Sequence, residues 1–200
     1  ARRFTQGLGL AWARRHQVWM GAWLPDEIEA SDEVWSEVDA HAEATMAADP
    51  ASRAMYLDQR MYLAEGVLVK VDRAAGAHGI EVRSPFMDHT IVELAAQMGI
   101  GHKLRGRTGK RVLREAMADA LPDEVLNRKK KGFGAPVGPW LRGPCSHLLD
   151  ALPDRVADWI SPEQVQRCIS EHRSGSEDHR RRLWSALILA TWLEGPWASQ

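Results

Sequence analysis

The stretch V-L-V-K-V-D-R-A-A-G-A-H-G-I-E-V-R-S-P-F-M-D, Val67 to Asp88, decides how this chain is read. Lys70, Asp72, Arg73, Glu81, Arg83 and Asp88 place six charged groups within 22 residues, among the small apolar residues Leu68, Val71, Ala74, Ala75 and Ala77. Small apolar residues at helical spacing predict a helix packed closely against another surface. Charges beside a dry surface must be paired or must hold a ligand. A structural ion-pair network is the plain alternative to a ligand site. Gly79 suits a helix stop, and Pro85 disfavours helix at Ser84. Glu81 and Arg83, two apart in extended chain, then project to the same side.

Upstream, Leu57, Met61, Ala64, Leu68, Val71, Ala75 and His78 recur at spacings of four and three, predicting one apolar helical seam from about Ser52. Asp58, Glu65 and Asp72 recur every seven residues beside it. An α-helix would line these three carboxylates along one edge, either as a solvated stripe or as part of a site. Gly66 sits inside the run and marks a candidate kink. Before it, residues 1–24 read as amphipathic surface helix, and Ser31 as the N-cap of a helix to about Met46. After the quoted stretch, Asp88 caps a helix to about Met98, and Thr108 begins another to about Ala120. Pro122 opens a short helix to Leu126, and Asn127 to Pro139 reads as a loop. Ser161, Pro162 and Gln164 mark a further helix start. The last helix, about Glu177 to Leu193, carries Leu183, Trp184, Leu187, Ile188 and Thr191 on one face. No strong alternating pattern and no repeat is visible, so the expected fold is mainly α.

Composition narrows the function. A chain of 200 residues with 44% hydrophobic and 26% charged residues is an ordinary globular domain with a sizeable core. No apolar run approaches the roughly 20 residues that cross a bilayer. Cys145 and Cys168 make no disulfide framework, and a reducing cytoplasm is the expected location. A net charge of −1 argues against a protein that coats nucleic acid. The chain begins without Met inside a helical pattern, as expected for a piece of something longer.

Three short motifs offer other chemistry. Gly101-x4-Gly106-Arg107-Thr108 resembles a phosphate-binding loop, but Arg107 replaces its lysine and no apolar strand precedes it. His41-Ala42-Glu43 with Pro144-Cys145 resembles a zinc deaminase signature, but Leu148 stands where its second cysteine belongs. Arg128 to Lys131 is a basic run without interleaved aromatics, a weak nucleic-acid signal.

A longer, ordered series carries a resemblance. The core K-V-D-R-A…H-G-I-E-V-R-S-P-F-M-D is followed by Lys103-Leu104-Arg105-Gly106 and Gly109-Lys110-Arg111-Val112-Leu113-Arg114. Then come Leu121-Pro122 and the run from Asn127 through Arg128, Lys129, Lys130, Lys131, Gly132, Phe133 and Gly134 to Pro136; Asp58 with Tyr62-Leu63 precedes them all. From about Asp58 to Trp140 this resembles the synthetase domain of glutamine-hydrolysing asparagine synthetases. The resemblance implies an α/β ATP pyrophosphatase (PP-loop) fold of which this chain holds the helical C-terminal portion, without the nucleotide-binding sheet. Residues 141–200 are then a C-terminal helical extension of the partial domain 1–200.

The implied reaction joins ATP to the side-chain carboxylate of aspartate and releases pyrophosphate. Ammonia, from glutamine hydrolysed in a separate N-terminal domain, then attacks β-aspartyl-AMP. ATP and Mg2+ are the implied cofactors. Lys130 matches the lysine that the family sets on the α-phosphate and departing pyrophosphate, with Phe133 as anchor and glycines beside it for closure. Asp72 and Glu65 are the candidate catalytic acids. Lys70, Arg73, Arg83, Lys110, Arg128 and Gly132 are candidates for binding substrate or ATP, and no metal ligand is assigned. Glu81 with Arg83 also reads as a structural pair, and Lys110 with Arg114 as supporting partners four apart on one helix. The family's S-G-G-x-D-S and S-G-E-G-x-D-E strings and its glutaminase domain are not in this chain, so the 200 residues alone are expected to be inactive. The implied partners are aspartate, ATP, ammonia, the glutaminase and PP-loop portions, and a second copy as a candidate homodimer, with no nucleic acid or membrane. Three rivals share parts of the pattern: an adenylating cyclase or peptide-tailoring amidotransferase, a non-catalytic truncated helical module, and a nucleic-acid-binding helical domain using the lysine cluster.

Overall fold

The structure, a computed structural model, describes residues 5, 7–29, 32–46, 48–129, 132 and 134–195. It divides into two compact units, one of residues 1–37 with 132–200 and one of residues 38–131. Among the described residues it is helical apart from one two-stranded hairpin, in keeping with a mainly α chain. None of its helices is long and apolar enough to cross a membrane. The expected cap at Ser31 lies outside the described residues.

The first unit opens with α1 (Trp12–Met20), a 3-10 turn at Pro25–Glu27 and the start of α2 (Asp32–Glu43). It continues through α9 (Val137–Arg142), a 3-10 turn at Ser146–Leu149, α10 (Leu152–Arg155), α11 (Pro162–Ser174) and α12 (Arg180–Leu193). Ser161 starts α11 as its sequence requires, its hydroxyl accepting from the Gln164 amide at 3.4 Å, with Pro162 in the first turn. Gly175, at φ +77°, ends the helix in the left-handed conformation that costs glycine least.

Leu141, Leu149, Leu152, Val156, Val165, Cys168, Ile169, Leu183 and Ala190 are at most 1% exposed and form one continuous core. Burying such a leucine contributes about 1.5–3 kcal/mol. The loop predicted to run to Pro139 ends earlier, because α9 starts at Val137 and sends Leu141 into this core. The buried face of α12 is also rotated from the predicted one. Leu183, Ala186, Leu187 and Ala190 face inward, whereas Trp184 and Ile188 are about half exposed. Two alanines let the helix approach closely, and bulk alone misjudges such a face.

Polar groups tie this unit together. Arg182 donates from Nη2 to both carboxylate oxygens of Glu27, at 2.7 and 2.8 Å, and stacks over Trp23, whose indole N–H donates to Ser185. His172 is fully buried; its Nε2–H donates to the Gly138 carbonyl at 3.1 Å, and its Nδ1 accepts from the His179 amide at 3.3 Å. Both nitrogens are thus satisfied by a neutral ring, and burial pushes the His172 pKa down. Burial pushes the Cys168 thiol up, so it stays protonated in the core.

The second unit carries the end of α2, then α3 (Pro50–Leu57), a π-helical run Asp58–Leu68 and α4 (Val69–Gly76). Asp49 caps α3 through the Ala51 and Ser52 amides at 3.0 and 3.1 Å. The π run departs from the sequence expectation. The Val69 N–H donates to Ala64 O, five residues back. Each residue of so wide a ring advances by less than the α-helical step, so the spacing of four and three no longer defines one seam. Gly79, at φ +65°, then turns the chain out of the helix, with the Ile80 amide bonded back to Ala75 O at 3.0 Å.

A 3-10 turn, Pro85–Met87, leads to α5 (His89–Gln97), which Asp88 caps through the Thr90 amide at 2.9 Å. The short α6 (Ile100–Lys103) runs straight into β1 (Leu104–Arg105), paired antiparallel with β2 (Thr108–Gly109). Thr108 therefore begins a strand rather than the expected helix. Gly106, at φ +60°, is the first residue of the two-residue turn, where a primed hairpin turn demands glycine. Then follow α7 (Arg111–Ala116) and α8 (Asp123–Asn127).

Within this unit Val38, Ala42 and Leu57 are buried, but from Asp58 to Lys129 not one residue is. Ile80, Val82, Phe86, Ile91, Leu94 and Val125 are 45–62% exposed.

Two tests follow from this distribution. Leu183→Ala should cost the C-terminal unit about 2–5 kcal/mol, whereas Leu94→Ala in this 200-residue chain should stay within about 0.5 kcal/mol, both read by denaturant unfolding. The depressed His172 pKa makes the unfolded chain bind more protons just below its ordinary value of about 6.5. That contribution to stability is complete above this pH and shrinks as pH falls toward the folded value. The melting temperature should therefore drop between about pH 7 and pH 5, and His172→Gln should flatten that slope.

Candidate functional site

The second unit contains every sequence-predicted site residue except Gly132, which falls in the first, where it is exposed with no heavy atom within 4 Å of a Cβ built on it. Lys130, Lys131 and Phe133 lie outside the described residues. Glu65 stands in the π run, and Lys70, Asp72 and Arg73 on α4, all exposed in this chain. The π geometry removes the common stripe that α spacing gives Asp58, Glu65 and Asp72. Arg83 pairs with Glu81 at 2.8 Å, as extended backbone allows, with side chains 83% and 72% exposed. So solvated a pair contributes little to stability, and both groups are open to other partners.

Lys110 and Arg128 come together. They line a cleft of about 920 Å³ formed by the hairpin, α7, α8 and the residues after it. Arg107, Arg114 and Lys129 join them, with Phe86, Leu113 and Met117 on the apolar side. Among the described residues, five cations line this cleft and no carboxylate does. Like charges gathered with so little compensation repel one another, and a multiply charged anion relieves that repulsion.

Backbone geometry builds the cleft. Lys110 follows β2 in the left-handed region at φ +56°, the one non-glycine residue at positive φ among those described. An ordinary residue there costs roughly 1–2 kcal/mol, and such strain collects at functional positions. Arg114, one turn on, donates from Nε to Gly109 O at 3.1 Å and from Nη1 to Leu126 O. Its partners are thus carbonyls at both ends of the cleft. Arg111 pairs with Glu115 at 2.7 Å and donates to Gly101 O at 3.2 Å, fixing α7 against α6. Sequence reasoning put Lys110 and Arg128 in the site and missed Arg107. The basic residue in the hairpin turn was visible, but it was set aside with the phosphate-loop motif. The structure disposes of that motif, since Gly101 lies in a helix and Gly106 in a hairpin turn.

The zinc-deaminase pattern finds ordinary roles for its members. His41 packs edge-on against Tyr56 at 5.8 Å, and His147 donates from Nδ1 to Pro144 O at 3.1 Å. Among the described residues, one group offers three ligand atoms within 4.8 Å of one another, namely Glu171, Glu177 and His179 in the first unit. There His179 Nε2 already meets Glu171 Oε2 at 2.5 Å. In the second unit no such trio occurs among the described residues. A cleft so lined suits a multiply charged anion.

Residues 1–194 match the asparagine synthase family. A putative glutamine-hydrolysing asparagine synthetase of Mycobacterium bovis is 32% identical over 180 residues, covering 86% of this chain and 27% of that protein. Asparagine synthetase 1 of Bacillus subtilis is 28% identical over 143 residues, 70% of this chain and 23% of its own length. The corresponding enzyme of Saccharomyces cerevisiae is 30% identical over 172 residues, 80% of this chain and 28% of its own. The chain thus spans about a quarter of the length of these relatives. No solved structure matches it. The family match along almost the whole chain makes the conclusion plain: this chain belongs to the asparagine synthase family.

Proposed function

We propose that this chain is the C-terminal part of an ATP-dependent amide-forming ligase that makes asparagine from aspartate through β-aspartyl-AMP, with ammonia drawn from glutamine. The observation that carries this reading is the carboxylate-free cationic cleft inside the family's motif region. Adenylation leaves pyrophosphate, and a site for it needs fixed positive charge more than covalent chemistry. Lys110 and Arg128 would hold the polyphosphate. Lys130, two residues past Arg128, would neutralise the charge that develops on the α-phosphate as the bond to pyrophosphate breaks. Arg128 can grip two phosphate oxygens at once, whereas Lys110 acts as a point charge. Glu65 and Asp72 are proposed to orient ammonia or accept its proton, and Lys70, Arg73 and Arg83 to contact substrate. Gly132 would give the loop freedom to close. Asp72 or Glu65 would help hold a Mg2+ ion, which would supply positive charge to the polyphosphate.

The bare second unit supports the fold part of the proposal. A segment of 72 residues, Asp58 to Lys129, that buries nothing leaves its apolar side chains to be covered elsewhere. A PP-loop sheet preceding this chain would supply that cover, and it would bring the nucleotide to the cleft. The 200 residues alone would then neither bind ATP tightly nor turn over.

These statements are tested in the complete protein by measuring AMP, pyrophosphate and asparagine. Lys130→Ala should lower kcat by about 10²–10³, the usual cost of removing one transition-state charge partner. Lys110→Ala should raise the KM for ATP about tenfold, equivalent to about 1.4 kcal/mol of lost binding. AMP without asparagine would assign the adenylation to another acceptor, and turnover by the isolated 200 residues would refute the fragment reading. Leu94→Ala, nearly neutral in the isolated chain, should cost about 2 kcal/mol or more in the complete protein if the sheet covers α5.

A further inference from the structure

The two walls of the cationic cleft come from separate segments, the end of the hairpin bearing Lys110 and the end of α8 leading to Arg128 and Lys129. The side chain of Arg114 connects them. Its Nε–H donates to Gly109 O, the residue before Lys110, and its Nη1–H to Leu126 O, two residues before Arg128. The Leu126 carbonyl belongs to the last turn of α8, where helices leave carbonyls without internal partners. Gly109 O lies at the close of a two-residue strand. Arg114 itself is fixed by α7, its amide bonded to Lys110 O at 3.0 Å.

We propose that Arg114 is a positioning residue that sets the separation of the two cationic walls, so that Lys110 on one side and Arg128 on the other converge on one anionic ligand. This inference rests on the polyphosphate reading of the cleft. A rigid fork can reach two carbonyls from one stem; an ammonium is a single point with no second arm. Lysine at this position keeps the charge of the cleft and loses the clip. The spacing of Lys110 and Arg114 by four residues reads as a pair of supporting partners, and the proposal divides the tasks: Lys110 faces the ligand and Arg114 braces the backbone.

The test uses Arg114→Lys in the complete protein, with two readouts. The first is independent of catalysis: trypsin cleavage within the run Arg128 to Lys131 under native conditions. Releasing the α8 end should accelerate it about tenfold or more, with the far-ultraviolet circular dichroism unchanged. The second is the KM for ATP, expected to rise about tenfold in an otherwise wild-type background and by less than twofold in an Arg128→Ala background, because the brace acts through Arg128. Equal effects in both backgrounds would make Arg114 merely structural and overturn the proposal. So would cleavage and KM both at wild-type values. A wild-type protein that forms no AMP refutes the polyphosphate reading, and the cleavage comparison then still decides whether the clip exists. If Arg114→Lys does not fold, the same readouts are taken on Arg114→Gln, which keeps one donor and loses the fork.

Discussion

Removal of apolar surface from water governs this chain, and it does so very unequally. The C-terminal core, from Leu141 through Ala190, encloses leucines and isoleucines that are at most a few per cent exposed. At about 1.5–3 kcal/mol for each large side chain, that cluster can order short helices which have little stability of their own. The second unit has nothing comparable after Leu57. Its order rests on local devices: Asp49 and Asp88 as caps, Gly79 and Gly106 as turns, and the Arg114 clip. Each device contributes on the order of 1 kcal/mol, which shapes a segment without securing it. The unit that carries the family's motifs is therefore the one with the least apolar burial of its own.

The parts of the fold that were legible in the sequence are those set by single residues with one steric or hydrogen-bonding role. Gly79 stops α4, Asp88 starts α5, and Ser161 with Pro162 starts α11, each within a residue or two of its expected place. The parts that were not legible depend on pattern. The π run keeps the composition of an α-helix, and only its five-residue hydrogen bonding separates the two. Two-residue strands are too short to alternate, so the hairpin offered only Gly106 as a signal. The inward face of α12 is marked by Ala186 and Ala190, which carry little weight in any reading that ranks residues by bulk.

The candidate site divides in the same manner. Cations announce themselves, and Lys110 and Arg128 were found from their positions in the motif series. The acids Glu65 and Asp72 are exposed and do not line the cleft, and the edge they were expected to share does not survive the π geometry. What sequence cannot display is a side chain whose partners are backbone carbonyls, because every residue offers one. Arg114 is of this kind: its spacing from Lys110 marks it as a supporting residue without showing the carbonyls it holds.

The choice of carbonyls as the acceptors for Arg114 has an electrostatic consequence. A cleft that is to hold polyphosphate must keep net positive charge while its lysines and arginines are held in place. Bracing them with Asp or Glu would fix their positions and cancel the field in the same stroke. A carbonyl oxygen satisfies the guanidinium N–H groups with a dipole rather than a full charge, so the geometry is set and the charge remains. The only carboxylate pair on α7 obeys this logic, since Arg111 and Glu115 bind each other without lining the cleft. Strain at Lys110 fits the same scheme: a residue held in the left-handed region by the hairpin before it and the helix after it cannot easily relax away from its cationic neighbours. On the proposed reading, part of the binding energy of a polyphosphate would come from relieving the repulsion that this backbone enforces.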